Sequence, residues 1–214
     1  RLGGAAETPL RAAAGLLAQA IERLPTANSL DTIRGIEGEG SAAYFGALRN
    51  LITVRAEGFA FDGRNRRPPR DPVNALLSFL YALLLHDCTN ALEGVGLDPQ
   101  LGYLHAVRPG RPSLALDLME EFRAVVADRL ALTLINRGQV LLGHFITHAG
   151  GAVTLNDEGR RIILRVYQER KREETYHRLL ERKVPVGLLP HVQARVLARH
   201  LRGDLPHYLP YLTE

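Results

Sequence analysis

Apolar side chains recur at helical spacing along most of the chain. Over residues 8–24 this spacing places Leu10, Ala14, Leu17 and Ile21 on one face, which predicts an amphipathic helix. Further helices are predicted over residues 29–51, 71–93, 113–136, 157–174 (continuing toward 177) and 189–202. We read residues 150–155 as a short hairpin or an extended piece. Because strand signals are too sparse to build a sheet, the predicted fold class is all-α.

Local signals fix several helix ends. Asp71 followed by Pro72 gives an N-cap and a proline at the first helical position, and Gly138 and Gly203 occupy stop positions. The helix after Asp71 is apolar nearly all round over residues 73–85, which places it in the domain centre.

Composition narrows the class of protein. The chain has 214 residues, 46% of them hydrophobic and 23% charged, as in ordinary globular proteins. This length suits one domain or two small ones, and we predict a single helical domain over residues 1–214. Within it, residues 1–27 form a lead-in helix and residues 204–214 an extended tail.

Cysteine usage and the chain start bear on the cellular setting. Cys88 is the sole cysteine, which excludes an internal disulfide framework and indicates a reducing, cytoplasmic compartment. The longest apolar run, residues 75–85, is too short to span a bilayer. Because the chain begins at Arg1 rather than methionine, we expect a fragment or a processed product.

Positive charge is concentrated in two segments. Residues 160–202 contain twelve Lys or Arg against four Glu, and the loop 58–70 contains Arg64, Arg66, Arg67 and Arg70. Clustered cations suit a polyanion, most often nucleic acid. For residues 170–174, with mixed charge signs at helical spacing, a solvated helix face is the favoured interpretation.

One segment combines an imidazole with two carboxylates. His105 lies in a loop with Pro109 and Pro112, and Asp117 and Glu120 follow three residues apart on one face of the next helix. Carboxylates in an apolar helix need a compensating cation or hydrogen bonds. This pattern predicts half of a divalent-metal site.

Several blocks, in the same order, resemble the CRISPR-associated spacer-acquisition integrase family in its helical catalytic lobe. The resemblance covers about residues 28–212. The blocks are RGIEG at 34–38, RPPRDPVNALLSF at 67–79, GLDP at 96–99, GYLH at 102–105, DLMEEFR at 117–123 and QARVLARHLRG at 193–203.

The resemblance implies the roles of the site residues. Glu37, His105 and Glu120 would bind one divalent ion and act as the catalytic residues, and two carboxylates with one imidazole suit Mg²⁺ or Mn²⁺. Asp117 would orient a ligand, although spacing alone also allows Asp117 and Glu120 to exchange roles. Asn74 would orient a ligand or make buried hydrogen bonds. The expected DNA-backbone contacts are Arg64, Arg66 and Arg67, as a mobile arm, with Arg108 and Arg111. Arg199 is expected to contact either DNA or another subunit.

The implied activity is the joining of 3′-hydroxyl ends of short DNA fragments into a repeat array by transesterification. The implied partners are DNA, a second copy of the chain, a small ferredoxin-like dimeric adaptation partner and a RecB-like exonuclease, fused or separate; no membrane is involved. The family's N-terminal β-rich lobe is missing from these residues. Two alternatives remain open, namely a metal-dependent nuclease acting on branched DNA in repair and a non-catalytic DNA-binding subunit.

Overall fold

The structure is a computed structural model and describes residues 4–53, 58–65 and 67–212. Its backbone contacts separate into two compact units. The first unit comprises residues 1–75 and 134–155, and the second comprises residues 76–133 and 156–214. The sequence predicts one domain, whereas the backbone contacts divide the chain into these two units.

The first unit combines a helical pair with a small hairpin. Helices α1 (Gly4–Arg23) and α2 (Leu30–Leu48) pack together. Strands β1 (Phe145–Thr147) and β2 (Val153–Leu155) pair antiparallel, as a hairpin reading of residues 150–155 predicts. Helix α2 begins where expected, because the Ser29 hydroxyl accepts the backbone N–H of Thr32 at 3.1 Å.

Helix α3 (Pro72–Glu93) begins in the first unit and extends into the second. Its start and end match the predicted helix over residues 71–93, with Pro72 at the first helical position. Helices α4 (Ser113–Phe122) and α5 (Arg129–Asn136) are joined by a π-helical turn, Arg123–Asp128. The second unit also contains α6 (Asp157–Arg172), strands β3 (Glu174–His177) and β4 (Arg182–Pro185), and α7 (Leu189–Leu201).

Helix α3 supplies much of the core of the second unit. Leu76, Leu80 and Leu84 are at most 2% exposed, and Cys88 is fully buried. Of the described helices, α3 alone is long and apolar enough to cross a membrane by length and composition. Core helices pass the same test, and the burial of these leucines accounts for the composition.

The all-α prediction is too narrow in one respect. The chain is predominantly helical, but residues 174–177 form β3, paired antiparallel with β4, rather than the end of a helix. Helix α6 ends at Arg172, and Glu173 is extended (φ −65°, ψ 144°). Thr175 and Tyr176, β-branched and aromatic, favour the strand.

Candidate functional site

The loop that carries His105 is fixed against the start of α4. The Ser113 hydroxyl donates to the carbonyl of Ala106 at 2.9 Å, and the backbone N–H of Leu114 donates to the carbonyl of Pro99 at 2.8 Å. Gly102 packs so closely that a Cβ there would lie 2.7 Å from the carbonyl carbon of Ser113. Only glycine allows this approach.

Asp117 holds both the backbone and the ring of His105. Its carboxylate accepts the backbone N–H groups of Tyr103 (2.6 Å), Leu104 (3.1 Å) and His105 (2.9 Å). His105 Nδ1 lies 2.6 Å from Asp117 Oδ1. With Nδ1 engaged by the carboxylate, Nε2 is the ring nitrogen left for a ligand.

The environment of Asp117 favours its ionised form. Burial raises the pKa of Asp117, but hydrogen bonds from the His105 ring and from three backbone N–H groups outweigh this effect and hold the pKa below its ordinary value. The side chains of His105 and Asp117 are 24% and 14% exposed. The pair therefore lies at the surface edge of the unit, where a ligand can reach it.

Glu120 is held by a different partner. Arg123 Nη1 donates to both of its carboxylate oxygens, at 2.6 and 2.7 Å. The Arg123 guanidinium also lies 4.7 Å from the centre of the Tyr81 ring, and the Tyr81 hydroxyl donates to Asp128. Because Arg123 and Asp128 bound the π-helical turn, that turn places both side chains beside Tyr81. Arg123 was not among the predicted site residues, although its position three residues after Glu120 predicts an ion pair on one helix face.

Glu121, the next residue, faces the C-terminal tail. Its carboxylate accepts hydrogen bonds from Gln193 Nε2 at 2.9 Å, from the backbone N–H of Tyr211 at 2.7 Å and from the Tyr208 hydroxyl. Burial raises the pKa of Glu121, and these hydrogen bonds only partly oppose the rise. A pocket of about 330 Å³, lined in part by Asp117, Glu121 and Tyr208, lies between α4, α7 and the tail.

Two further predicted site residues, Glu37 and Asn74, lie in the first unit. Glu37 is an exposed residue of α2. Asn74 is completely buried, and its side chain bonds to Gly63, Asn65 and Asp71. The sequence left two roles open for Asn74, orienting a ligand and making buried hydrogen bonds. The observed contacts are of the second kind.

The predicted DNA-contacting arginines differ in their surroundings. Arg67, Arg108 and Arg199 are exposed, and Arg111 is half-buried. Arg64 is held inside the protein, because its Nη1 donates to Asn74 Oδ1 at 2.6 Å. It is therefore not part of a mobile arm. Arg66 lies outside the described residues.

The second unit brings His105 and Asp117 into contact and leaves Glu120 paired with Arg123. Among the residues that the structure describes, no three His, Cys, Asp or Glu side chains are grouped closely enough to hold a metal ion. Glu37 belongs to the first unit, and His105 and Glu120 belong to the second. The three-ligand site therefore stays a prediction.

Solved structures that share this fold include a Cas1 protein from Thermotoga maritima. The likeness has a TM-score of 0.79 and 33% sequence identity, and covers 87% of this chain and 57% of that one. A Cas6-RT-Cas1–Cas2 complex aligns with a TM-score of 0.84 over 99% of this chain and 23% of that one, at 24% identity. At 24% identity, the likeness to the complex shows a shared fold and nothing further.

Sequence comparisons identify the family. The model for CRISPR associated protein Cas1 matches residues 2–169. The CRISPR-associated endonuclease Cas1 1 of Moorella thermoacetica is 57% identical over 196 residues, which are 92% of this chain and 57% of the relative. A CRISPR-associated exonuclease Cas4/endonuclease Cas1 fusion of Rhodospirillum rubrum is 44% identical over 209 residues, which are 96% of this chain and 36% of the fusion.

The chain belongs to the Cas1 family of CRISPR-associated proteins. The matched residues cover 57%, 54% and 59% of the length of three curated Cas1 relatives, so the chain spans somewhat more than half of each.

Proposed function

We propose that this chain carries the catalytic centre of a divalent-metal-dependent DNA integrase and endonuclease of CRISPR adaptation. The reaction is transesterification, in which the 3′-hydroxyl of a short DNA fragment attacks a phosphodiester at the edge of a repeat. The observation that supports it best is the His105–Asp117 contact at 2.6 Å. The matched relatives are named as endonucleases, and the proposal extends that activity to this chain.

The donor atoms of the second unit suit a hard divalent ion. A histidine that binds a metal usually has its other ring nitrogen held by a carboxylate or carbonyl, as Asp117 holds Nδ1 of His105. Glu120 offers carboxylate oxygens, which can accept further bonds beside those from Arg123. With Glu37, this set of two carboxylates and one imidazole fits Mg²⁺ or Mn²⁺ better than zinc.

Each residue has a distinct task in this proposal. Glu37, His105 and Glu120 would hold the ion, which would polarise the phosphoryl oxygen and stabilise charge on the attacking and leaving oxygens. Asp117 keeps the His105 ring in one orientation. Arg108, on the loop that carries His105, and exposed Arg199 bind backbone phosphates and position the DNA.

The attack is direct, without a covalent protein intermediate. Cys88, the sole cysteine, is fully buried in α3 and out of reach of a DNA substrate. The attacking group is then either a DNA hydroxyl or water. The geometry of the DNA ends relative to the site determines which of them attacks, and so whether strands are joined or cut.

The proposed partners follow the relatives. Structures that share the fold include Cas6-RT-Cas1–Cas2 complexes, and two relatives are Cas4/Cas1 fusions. We therefore extend to this chain a Cas2-type partner and an exonuclease. A second copy of the chain, a small ferredoxin-like dimeric form for the first partner, a RecB-like form for the exonuclease and a cytoplasmic location are what the family resemblance implies.

The test combines strand joining with metal binding. The chain and its small partner are incubated with short duplexes, a repeat-containing plasmid and Mn²⁺, and free Mn²⁺ is followed separately by electron paramagnetic resonance. We expect joined products with the unmodified chain, and loss of both joining and Mn²⁺ binding in His105→Ala. The matched control is His86→Ala, because His86 is an exposed residue of α3 whose ring contacts Asn90.

The other outcomes separate the alternatives. Cutting of the DNA without any joining would support the metal-dependent repair nuclease in place of the integrase. DNA binding with neither reaction, unchanged by His105→Ala, would identify a non-catalytic subunit.

A further inference from the structure

The loop before α3 displays two arginines on a fixed backbone. We call residues 63–65 and 67–71 the arginine loop. Arg67 and Arg70 are exposed there and are separated by Pro68 and Pro69. Arg70 was not among the predicted DNA contacts.

Asn74 anchors the beginning of the arginine loop. Its Oδ1 accepts Arg64 Nη1 at 2.6 Å and the backbone N–H of Asn65 at 3.0 Å, and its Nδ2 donates to the carbonyl of Gly63 at 2.9 Å. Since Asn74 lies in the first turn of α3 and is fully buried, these bonds fix the loop to the helix.

Asn65 closes the arginine loop on itself. Its Oδ1 accepts the backbone N–H of Arg70 at 2.8 Å, and its Nδ2 donates to Asp71 Oδ2 at 2.9 Å. The neighbouring carbonyl of Pro69 accepts the backbone N–H of Val153, in β2, at 2.8 Å. The backbone at Pro69 and Arg70 is therefore tied to the rest of the first unit.

The acid of this segment is turned inward. Asp71 accepts the backbone N–H of Asn74 at 2.8 Å, Asn74 Nδ2 at 2.7 Å and Asn65 Nδ2 at 2.9 Å. Both carboxylate oxygens are used in these bonds. Asp71 therefore orders the loop instead of pairing with the exposed arginines.

We propose that Asn65, Asp71 and Asn74 are positioning residues that present Arg67 and Arg70 as a preformed contact for two phosphates of the DNA backbone. The inference rests on the proposed function only in taking DNA as the substrate. A fixed loop lowers the conformational cost of ordering the two arginines on binding. Guanidinium groups suit phosphate oxygens because they form paired, charge-assisted hydrogen bonds.

Salt dependence separates a phosphate contact from a positioning role. Binding of the 214-residue chain to a fluorescent DNA duplex is measured by anisotropy between about 50 and 200 mM salt. In the Arg67→Ala/Arg70→Ala double variant, we expect the slope of log K against log salt to become shallower by about 1.8, or about 0.9 for each lost phosphate contact.

In Asn65→Ala, we expect affinity about tenfold weaker with the slope unchanged. The matched control is Asn50→Ala, since Asn50 is a half-buried residue of the same unit that bonds to Ala47, and it should leave both quantities unchanged.

For a second variant, the positioning role and simple electrostatics predict opposite changes in DNA affinity. Asp71→Asn removes a negative charge near the arginines and keeps a good N-cap for α3. Simple electrostatics predicts tighter DNA binding, whereas loss of the positioning bonds predicts weaker binding, which we expect. Circular dichroism confirms that each variant is folded.

Three results would overturn the inference: an unchanged slope in the double arginine variant, a shallower slope in Asn65→Ala, or tighter binding by Asp71→Asn. If the unmodified chain bound no DNA at all, the proposed function itself would fail, and the inference with it.

Discussion

Asp117 bonds to both the ring and the backbone of His105, so one carboxylate sets the position and the orientation of the imidazole. The Nδ1 contact is 2.6 Å and the backbone N–H contact is 2.9 Å. Because Asp117 belongs to α4, the histidine moves with that helix although it lies in a loop. The loop therefore acts, at this point, as part of a rigid element.

Replacing Asp117 by asparagine should test this coupling. The amide NH₂ group would face donors, so the backbone N–H groups of Tyr103 and Leu104 would lose their acceptor and exchange faster with deuterium. We expect strand joining to fall about 10- to 100-fold, as for residues that hold a metal ligand. Asp98→Asn is the control, because the Asp98 carboxylate also accepts a backbone N–H in a local turn, that of Gln100 at 2.8 Å. An unchanged joining rate in Asp117→Asn would contradict the coupling.

Two glycine substitutions should have opposite effects on stability. In Gly102→Ala the new methyl group would lie 2.6 Å from the Ser113 Cβ and 2.7 Å from its carbonyl carbon, so the loop carrying His105 must shift and the protein is destabilised. Gly46, in α2, has open space around its Cβ position, and Gly46→Ala should stabilise by about 0.5–1 kcal/mol through helix propensity. Urea unfolding measures both, and equal effects would contradict the close approach at Gly102.

The thiol of Cys88 should be inert in the folded chain. Burial, followed by the charges of Asp87 and Glu121, raises its pKa well above the ordinary value. The folded thiol therefore stays protonated at mildly alkaline pH. Its contribution to the free energy of unfolding is fully present below the pKa of the unfolded thiol and is lost as the pH rises from there towards the pKa of the folded thiol. We expect iodoacetamide to label Cys88 in urea but not in buffer, with Cys88→Ala as the blank. Rapid labelling of the native chain would be the contrary result.

The tail after α7 should depend on Gln193. This fully buried residue donates to Glu121 and to the carbonyl of Leu209. Gln193→Leu removes these bonds, together with those to the Tyr208 hydroxyl and to His177 Nε2, and should cost about 1–3 kcal/mol of unfolding free energy, with faster amide exchange at Tyr211. Gln139→Leu is the control, since Gln139 is exposed. Unchanged exchange at Tyr211 would show that the tail is held by other contacts.

Helix starts were predictable because their signals are local. Ser29 and the Asp71-Pro72 pair act through groups a few residues away, as the Asp71 bond to the Asn74 N–H shows. Strand β3 was missed because its four residues gain their stability from pairing with β4. The π-helical turn escaped because it spans only six residues, too short a segment for its one-residue shift of the apolar pattern to be recognised.

The site was predictable to different degrees. The proximity of His105 to Asp117 followed from a short loop leading into a helix, and the contact of Asn74 with Asp71 from helix capping. The partners of Glu121, more than seventy residues away in sequence, depend on the folded tail. Convergence of Glu37 with His105 and Glu120 stays a prediction for the same reason, because it depends on tertiary structure rather than on local spacing.

The π-helical turn after Phe122 bears on how related chains should be aligned. Such a turn accommodates one extra residue within an otherwise α-helical segment. A homologue lacking one residue there would have an unbroken helix, and every side chain beyond the deletion would be rotated by about 100° relative to Glu120. A single-residue gap in this segment would therefore change which side chains can reach Glu120, even between chains of similar composition.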